Sequence, residues 1–210
     1  MKETDIYQGP EPYGLADWRR RINDLYAQIR ATPDPRKGWD MWRAERSDLY
    51  RTHPMSPVPK PRRATLKQIA MFDYNPALRF HVSLDRVTAN ALTFQLDADG
   101  DMRARPIART QGLKAALNAE LTVYWIEGYG GGLFIPFKDL TSGAQTYGGG
   151  RYLVDAIKGS DLGLTETGEL IFDFNFAYTP SCAWTPDFVC PLSPPENTLP
   201  TAIEAGEKTP

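Results

Sequence analysis

The sequence predicts an α+β fold: two N-terminal helices packed on a mostly antiparallel β-sandwich or barrel, with an irregular, proline-rich C-terminal strap. Three observations carry this expectation. Apolar residues recur at helical spacing in two blocks before residue 52. From residue 66 onward, short runs rich in β-branched and aromatic residues recur, each bounded by Gly, Asp, Asn or Pro. Residues 176–210 hold seven of the 18 prolines yet keep Phe176, Tyr178, Trp184 and Phe188, a mixture that a disordered tail would lack.

Taken in order, residues 1–14 read as a loose arm, because Pro10 and Pro12 block helix. A helix fits 15–31, where Leu15, Trp18, Ile22, Leu25, Tyr26 and Ile29 make one apolar face and Pro33 and Pro35 end it. A second helix fits 40–51, with Asp40 as its N-cap and Trp39, Trp42, Leu49 and Tyr50 on its buried side. Residues 55–63 form a basic, proline-rich linker crossing the surface. The expected strands are 78–84, 91–97, 102–109, 121–126, 133–137, 151–155 and 169–174. Residues 111–118 are either a helical turn or a strand connection. The strap is expected to be ordered, fraying after about Gly206. Residues 1–63 (arm, helices, linker) and 64–210 (β-rich domain with strap) are expected to form one structural unit, since 210 residues suffice for a full core.

Composition excludes several function classes. A net charge of −2 and the lack of a basic stripe argue against nucleic acid. The charge is uneven, with 13 basic and 9 acidic residues in 1–63 against 11 and 17 in 64–210, so the two parts are expected to attract each other. No run of eighteen apolar residues exists, so no membrane span is expected. The first residues lack the apolar core of a signal peptide, which makes the expected location cytoplasmic. No cofactor and no metal are expected: the chain has two histidines and two cysteines, and Cys182 and Cys190 lack the paired spacing of common zinc sites. Those cysteines leave two readings open, free buried thiols or a bridge closing the proline-rich loop.

The most informative stretch is Tyr147-Gly148-Gly149-Gly150-Arg151-Tyr152. Three consecutive glycines cost backbone entropy, so something there calls for positive φ or a bare backbone. An arginine beside open N–H groups suits an anion such as carboxylate or phosphate. Tyr129-Gly-Gly-Gly132 repeats the tetrapeptide eighteen residues earlier; two glycine turns or bulges at one end of a sheet would explain both. Neither loop matches the Walker or dinucleotide pattern. Asp97-Ala-Asp-Gly-Asp101 fits a hairpin turn better than a calcium loop, because Ala108 stands where the bidentate glutamate belongs. Pro136 puts its strand at an edge or a bulge, and Asp139 with 141–143 makes a turn. Asp155 and Asp173 are expected to cap turns or to pair with Arg151 or Lys158.

Several long segments resemble an uncharacterised bacterial family, domain of unknown function 1684 (DUF1684). They are Phe134-Ile-Pro-Phe-Lys-Asp139, Thr141-Ser-Gly143, Thr146 through Leu153, Asp173 through Trp184, Cys190 through Asn197, and Ala205-Gly-Glu207. The resemblance spans residues 40–208 and is strongest from 133 onward. It implies no activity. It implies that Arg151, Tyr152, Asn175, Tyr178, Cys182, Cys190, Glu196 and Asn197 hold characteristic positions, either organising the strap or lining a pocket beneath it. Relatives of that family often carry an export or lipoprotein signal, a feature this sequence does not display.

The leading functional expectation is a small-ligand binding domain. A small anionic or sugar-like molecule would sit at the Tyr147–Tyr152 loop, with Arg151 as anion partner and Tyr152, Tyr178 and Trp184 as aromatic walls. Asn175, Glu196 and Asn197 complete the candidate set. One alternative is a metal-independent hydrolase using Asp or Glu with Arg151, which requires two carboxylates in one pocket. Another is a protein interaction module with no small-molecule site.

Overall fold

The computed structural model describes residues 13–96 and 100–210. The arm expected at 1–14, except its last two residues, and the tip of the turn at Asp97–Asp101 lie outside the described residues. Helix α1 (Gly14–Ala31) buries Ile22, Leu25, Tyr26 and Ile29, the face set by the i, i+3, i+4 pattern. Helix α2 (Pro35–Thr52) begins five residues earlier than expected. Asp34 caps it, its carboxylate accepting from the N–H groups of Arg36 (2.9 Å) and Lys37 (3.3 Å), and Pro35 takes the first turn. Pro35 reads as a stop for α1, but its fixed φ and missing N–H also suit the start of the next helix. Asp40 lies inside α2 and pairs with Arg36 at 3.3 Å. The linker contains a short helix α3 (Lys60–Arg63), and Arg63 donates to the carbonyls of Val58, His53 and Ser56, which pins the linker to the surface it crosses.

Seven strands follow: β1 (Arg79–Arg86), β2 (Leu92–Gln95), β3 (Asp101–Gln111), β4 (Thr122–Ile126), β5 (Gly132–Phe137), β6 (Arg151–Asp155) and β7 (Leu170–Asp173). They form one antiparallel, nearly closed barrel-like sheet in the order β6-β5-β4-β3-β1-β7, with β2 added to β3. The long strand β3 pairs β2 along its first part (Leu92 with Ala104) and β1 along its last (Ser83 with Gln111). The architecture is therefore α+β, with a barrel rather than two separate sheets. Gln95 opposite Asp101 confirms that a hairpin joins β2 to β3. The β5–β6 register shifts between Ile135 and Pro136, so Pro136 sits at a bulge in an interior strand. The ambiguous segment 111–118 contains a helical turn, α4 (Lys114–Leu117).

Successive side chains of a strand point to opposite faces, and in β4–β6 both faces are largely covered, whereas β1–β3 expose alternate residues. Tyr124, Ile126, Phe134 and Tyr152 pack under α1 and α2 with Trp42, Leu49 and Tyr50. Val123, Ile135, Leu153 and Val154 fill the barrel interior with Phe172, Phe174, Leu199 and Ile203. Burial on both sides is why β4–β6 read as nearly continuous apolar runs.

The strap from 174 onward is ordered by short 3-10 turns at Phe174–Phe176, Ser181–Ala183 and Pro195–Asn197. The fraying expected after Gly206 is not observed. Glu207 is fully buried, its backbone bridges Met71, and its carboxylate pairs with Arg46 of α2 while accepting from the N–H and hydroxyl of Thr179, both at 2.8 Å. A carboxylate with that many donors belongs to the core, whatever its position along the chain.

Candidate functional site

The glycine loop is built by the turn that precedes it. The Asp139 carboxylate accepts from the N–H (2.8 Å) and hydroxyl (2.6 Å) of Thr141, and the Ser142 hydroxyl accepts from the N–H of Asp139 at 3.1 Å. The chain then passes Tyr147 and enters β6. Of the three glycines, only Gly150 has positive φ, at 97°. A Cβ there would lie 2.7 Å from the Phe137 carbonyl oxygen, and one at Gly149 would lie 2.4 Å from the Tyr147 ring. The bare backbone serves close packing: the Gly149 carbonyl accepts from the N–H of Ser193, seating the strap on the loop.

Arg151 has no exposed surface. One terminal nitrogen donates to the carbonyls of Ala205 and Glu207; the other donates to the Ile203 carbonyl (2.9 Å) and to Asp139 (3.0 Å). Its Nε has no hydrogen-bond partner among the described residues. Burial draws its pKa down, and Asp139 opposes that shift. The guanidinium is thus turned inward onto the strap. Asn197 accepts from the N–H of Thr122 (2.7 Å) and donates to the carbonyls of Thr122 (2.9 Å) and Pro136 (2.8 Å). Asn175 exchanges two 2.8 Å bonds with the backbone of Asn75. Glu196 accepts from the Tyr124 hydroxyl at 2.7 Å, and Trp184 donates to the Thr179 hydroxyl at 3.3 Å. Arg151, Asn175, Glu196 and Asn197 each tie a different stretch of strap to the barrel or to the segment before it, while the Trp184 bond braces the strap on itself. Asp155 pairs with Lys158 at 3.4 Å and Asp173 with Arg79 at 3.0 Å.

An apolar cavity of about 440 Å³ lies elsewhere, between the start of α1, the β2–β4 end of the sheet and strap residues 181–191. Trp18, Met55, Met102, Ile126, Phe134 and Phe188 supply much of its wall. Its polar lining includes Arg19, Lys158, Asp155, Ser181 and Cys190, of which Asp155 is the one carboxylate among the described residues. A smaller void of about 60 Å³ shares Trp18, Lys158 and Ser181 with it and is lined by Tyr152 and Tyr178. The Tyr152 hydroxyl donates to the Pro191 carbonyl at 2.6 Å, and the Tyr178 hydroxyl meets the Ser160 hydroxyl at 3.1 Å. Of the residues singled out in the sequence, Cys190 touches the large cavity, and Tyr152 and Tyr178 touch its neighbour. Trp18, Arg19, Met55 and Phe188 were not foreseen as site residues. Trp18 sits on the apolar face of α1 like any core residue; the pair Phe188-Val189 beside Cys190 was the available signal, an apolar step in a stretch without periodicity.

Cys182 and Cys190 are free, half-buried thiols, and Cys190 lines the cavity. No group of three His, Cys, Asp or Glu side chains that could hold a metal occurs among the described residues, and no described helix is long and apolar enough to cross a membrane.

Comparison with known proteins gives a family and a fold relative. A family model described as "Protein of unknown function (DUF1684)" matches residues 64–208, which leaves α1 and α2 outside the matched span. The solution NMR structure of an uncharacterised protein from Haloarcula marismortui is similar at 29% identity and a TM-score of 0.55, covering 81% of this chain and 91% of that one. No curated protein matches.

Proposed function

We propose that this chain, which belongs to the DUF1684 family of proteins of unknown function, is a small-ligand binding domain whose site is the cavity beneath strap residues 181–191. The observation that carries the proposal is the cavity itself. About 440 Å³ lined mainly by apolar side chains, with a few polar groups among them, is the form that small-molecule sites take. Arg19 and Lys158 against one Asp155 give that lining a net positive charge. The favoured ligand is therefore an apolar body with an anionic head, which keeps the anionic part of the sequence expectation and moves it away from Arg151. The glycine loop contributes indirectly, by seating the strap that covers the cavity. A hydrolase with paired carboxylates has less support, because Asp155 is the cavity's single carboxylate among the described residues and is paired with Lys158.

The test is a thermal-shift series with octanoate and decanoate, the matching alcohols, and glucose 6-phosphate. A carboxylate held at about 100 times its dissociation constant adds about 2.7 kcal/mol, a shift of several degrees. Met55→Trp, which fills the cavity from a loop, abolishes the shift, and Lys158→Gln removes the preference for carboxylate over alcohol. No shift with any compound, or an undiminished shift in folded Met55→Trp, overturns the proposal.

A further inference from the structure

We infer that Cys182 and Cys190 form a thiol–disulfide exchange site for small disulfides, with Cys182 as the attacking sulfur and Cys190 as the resolving one. The geometry is that of a working pair. Cys182 lies in the 3-10 turn Ser181–Ala183, and its own N–H donates to the Cys190 sulfur at 3.4 Å. The Tyr147 hydroxyl approaches the Cys182 sulfur at 3.6 Å from the glycine loop. The ammonium of Lys158 is close enough to favour the thiolate at both cysteines. The phenols of Tyr50, on α2, and Tyr152, on β6, lie near enough to feel the charge of a Cys190 thiolate.

The two sulfurs are not equivalent. The Cys190 thiol's hydrogen bond, then the Tyr147 hydroxyl, outweigh burial and draw the Cys182 pKa down to about 6. The same contact, with burial, holds the Cys190 pKa well above that of an ordinary thiol. The contact favours the thiolate at Cys182 and the held proton at Cys190, the division of labour that exchange requires. Both side chains are half-buried rather than sealed, which leaves Cys182 open to a small disulfide, and Cys190 lines the cavity beside it.

The chemistry balances without any further reagent. The Cys182 thiolate attacks one sulfur of a disulfide RSSR, that S–S bond breaks, and RS⁻ departs, leaving Cys182 in a mixed disulfide. Cys190 then attacks the Cys182 sulfur, its proton passing to the departing sulfur, and the second group leaves as RSH, while the first RS⁻ takes up from solvent the proton that Cys182 had released. Two protein thiols and one RSSR become one Cys182–Cys190 disulfide and two RSH; the protein is oxidised and the small disulfide reduced. The chain between the two cysteines carries no strand and no long helix, so closing the bridge asks nothing of the barrel.

The experiment uses glutathione disulfide at pH 7 and intact-mass detection. The wild-type protein loses two hydrogens with no lasting adduct. Cys190→Ser accumulates a mixed disulfide with glutathione, and Cys182→Ser reacts about tenfold more slowly or not at all. In the unmodified protein, the rate of Cys182 alkylation by iodoacetamide levels off just above pH 6 instead of climbing through pH 8–9. The site is ruled out if both single variants form adducts at the same rate, or if the wild-type protein keeps both thiols. The alkylation profile needs no variant, so a misfolded substitution does not shield the idea.

Discussion

Single residues carry much of this fold, and Arg151 and Gly150 show how differently two neighbours can do so. Arg151 and Asp139 are both fully enclosed, and the guanidinium holds three strap carbonyls besides. Removing one partner of such a pair strands the other. Arg151→Ala is expected to cost about 3–5 kcal/mol in urea unfolding. Arg151→Lys should recover only part of that loss, because an ammonium cannot reproduce the planar fork. A variant as stable as wild type would contradict this account of the strap. Gly150→Ala meets both a left-handed φ of 97° and the Phe137 carbonyl at 2.7 Å, so about 1–3 kcal/mol is expected to be lost. Gly148→Ala meets nothing nearer than 3.6 Å and should change stability by no more than about 0.5 kcal/mol. Thermal denaturation of the two alanine variants separates steric need from glycine content. The importance of this glycine–arginine segment was legible in the sequence; which way the arginine faces was not. The carbonyls it holds belong to residues 203–207, more than fifty positions away.

At the scale of elements, the legible parts are those written in local periodicity. The amphipathic face of α1 follows from side-chain spacing, and the seven strand runs from β-branched and aromatic residues set between Gly, Asp, Asn and Pro. The start of α2 was misread because Pro35 serves as a breaker for one helix and a first residue for the next. Helix α4 was ambiguous because its cap comes from the far side of a turn. The Glu120 carboxylate accepts from the N–H groups of Gly112 (3.0 Å), Leu113 (3.0 Å) and Lys114 (2.9 Å) and from the Thr110 hydroxyl (2.6 Å). Partial burial pushes its pKa up, but these donors outweigh burial and the net value falls below the ordinary 4.5. A carboxylate with a depressed folded pKa contributes stability that is complete above the unfolded value and is lost as pH falls through the folded one. Glu120→Gln is therefore expected to be less stable than wild type above about pH 5 and to lose that difference toward about pH 3. A melting-temperature profile across that range checks it; a constant offset at every pH would show that the charge is not what holds the turn.

For the molecule as a whole, the helices and the barrel share one apolar layer. Tyr124, Phe134 and Tyr152 of the sheet are covered by residues of α1 and α2. A chain beginning at Ala64 would expose those rings, and we expect it to aggregate or to unfold without cooperativity in urea. A sharp, reversible transition for that piece would mean the barrel stands alone. The cavity was the least legible feature of all. It is bounded by α1, the linker, the sheet, the turn after β6 and the strap, regions whose meeting no local pattern announces. The bond between Arg46 and Glu207 has a further consequence for how the protein comes into being. A polypeptide is synthesised from its N-terminal end, and these two positions are 161 apart. Until residues 203–207 have been made, Arg46 has no Glu207 to meet and Arg151 lacks the carbonyls it holds. The nascent chain can coil its helices and pair its hairpins as they emerge. It cannot lock them, and until residue 207 has left the ribosome it depends on its surroundings to keep its unfinished core from other chains.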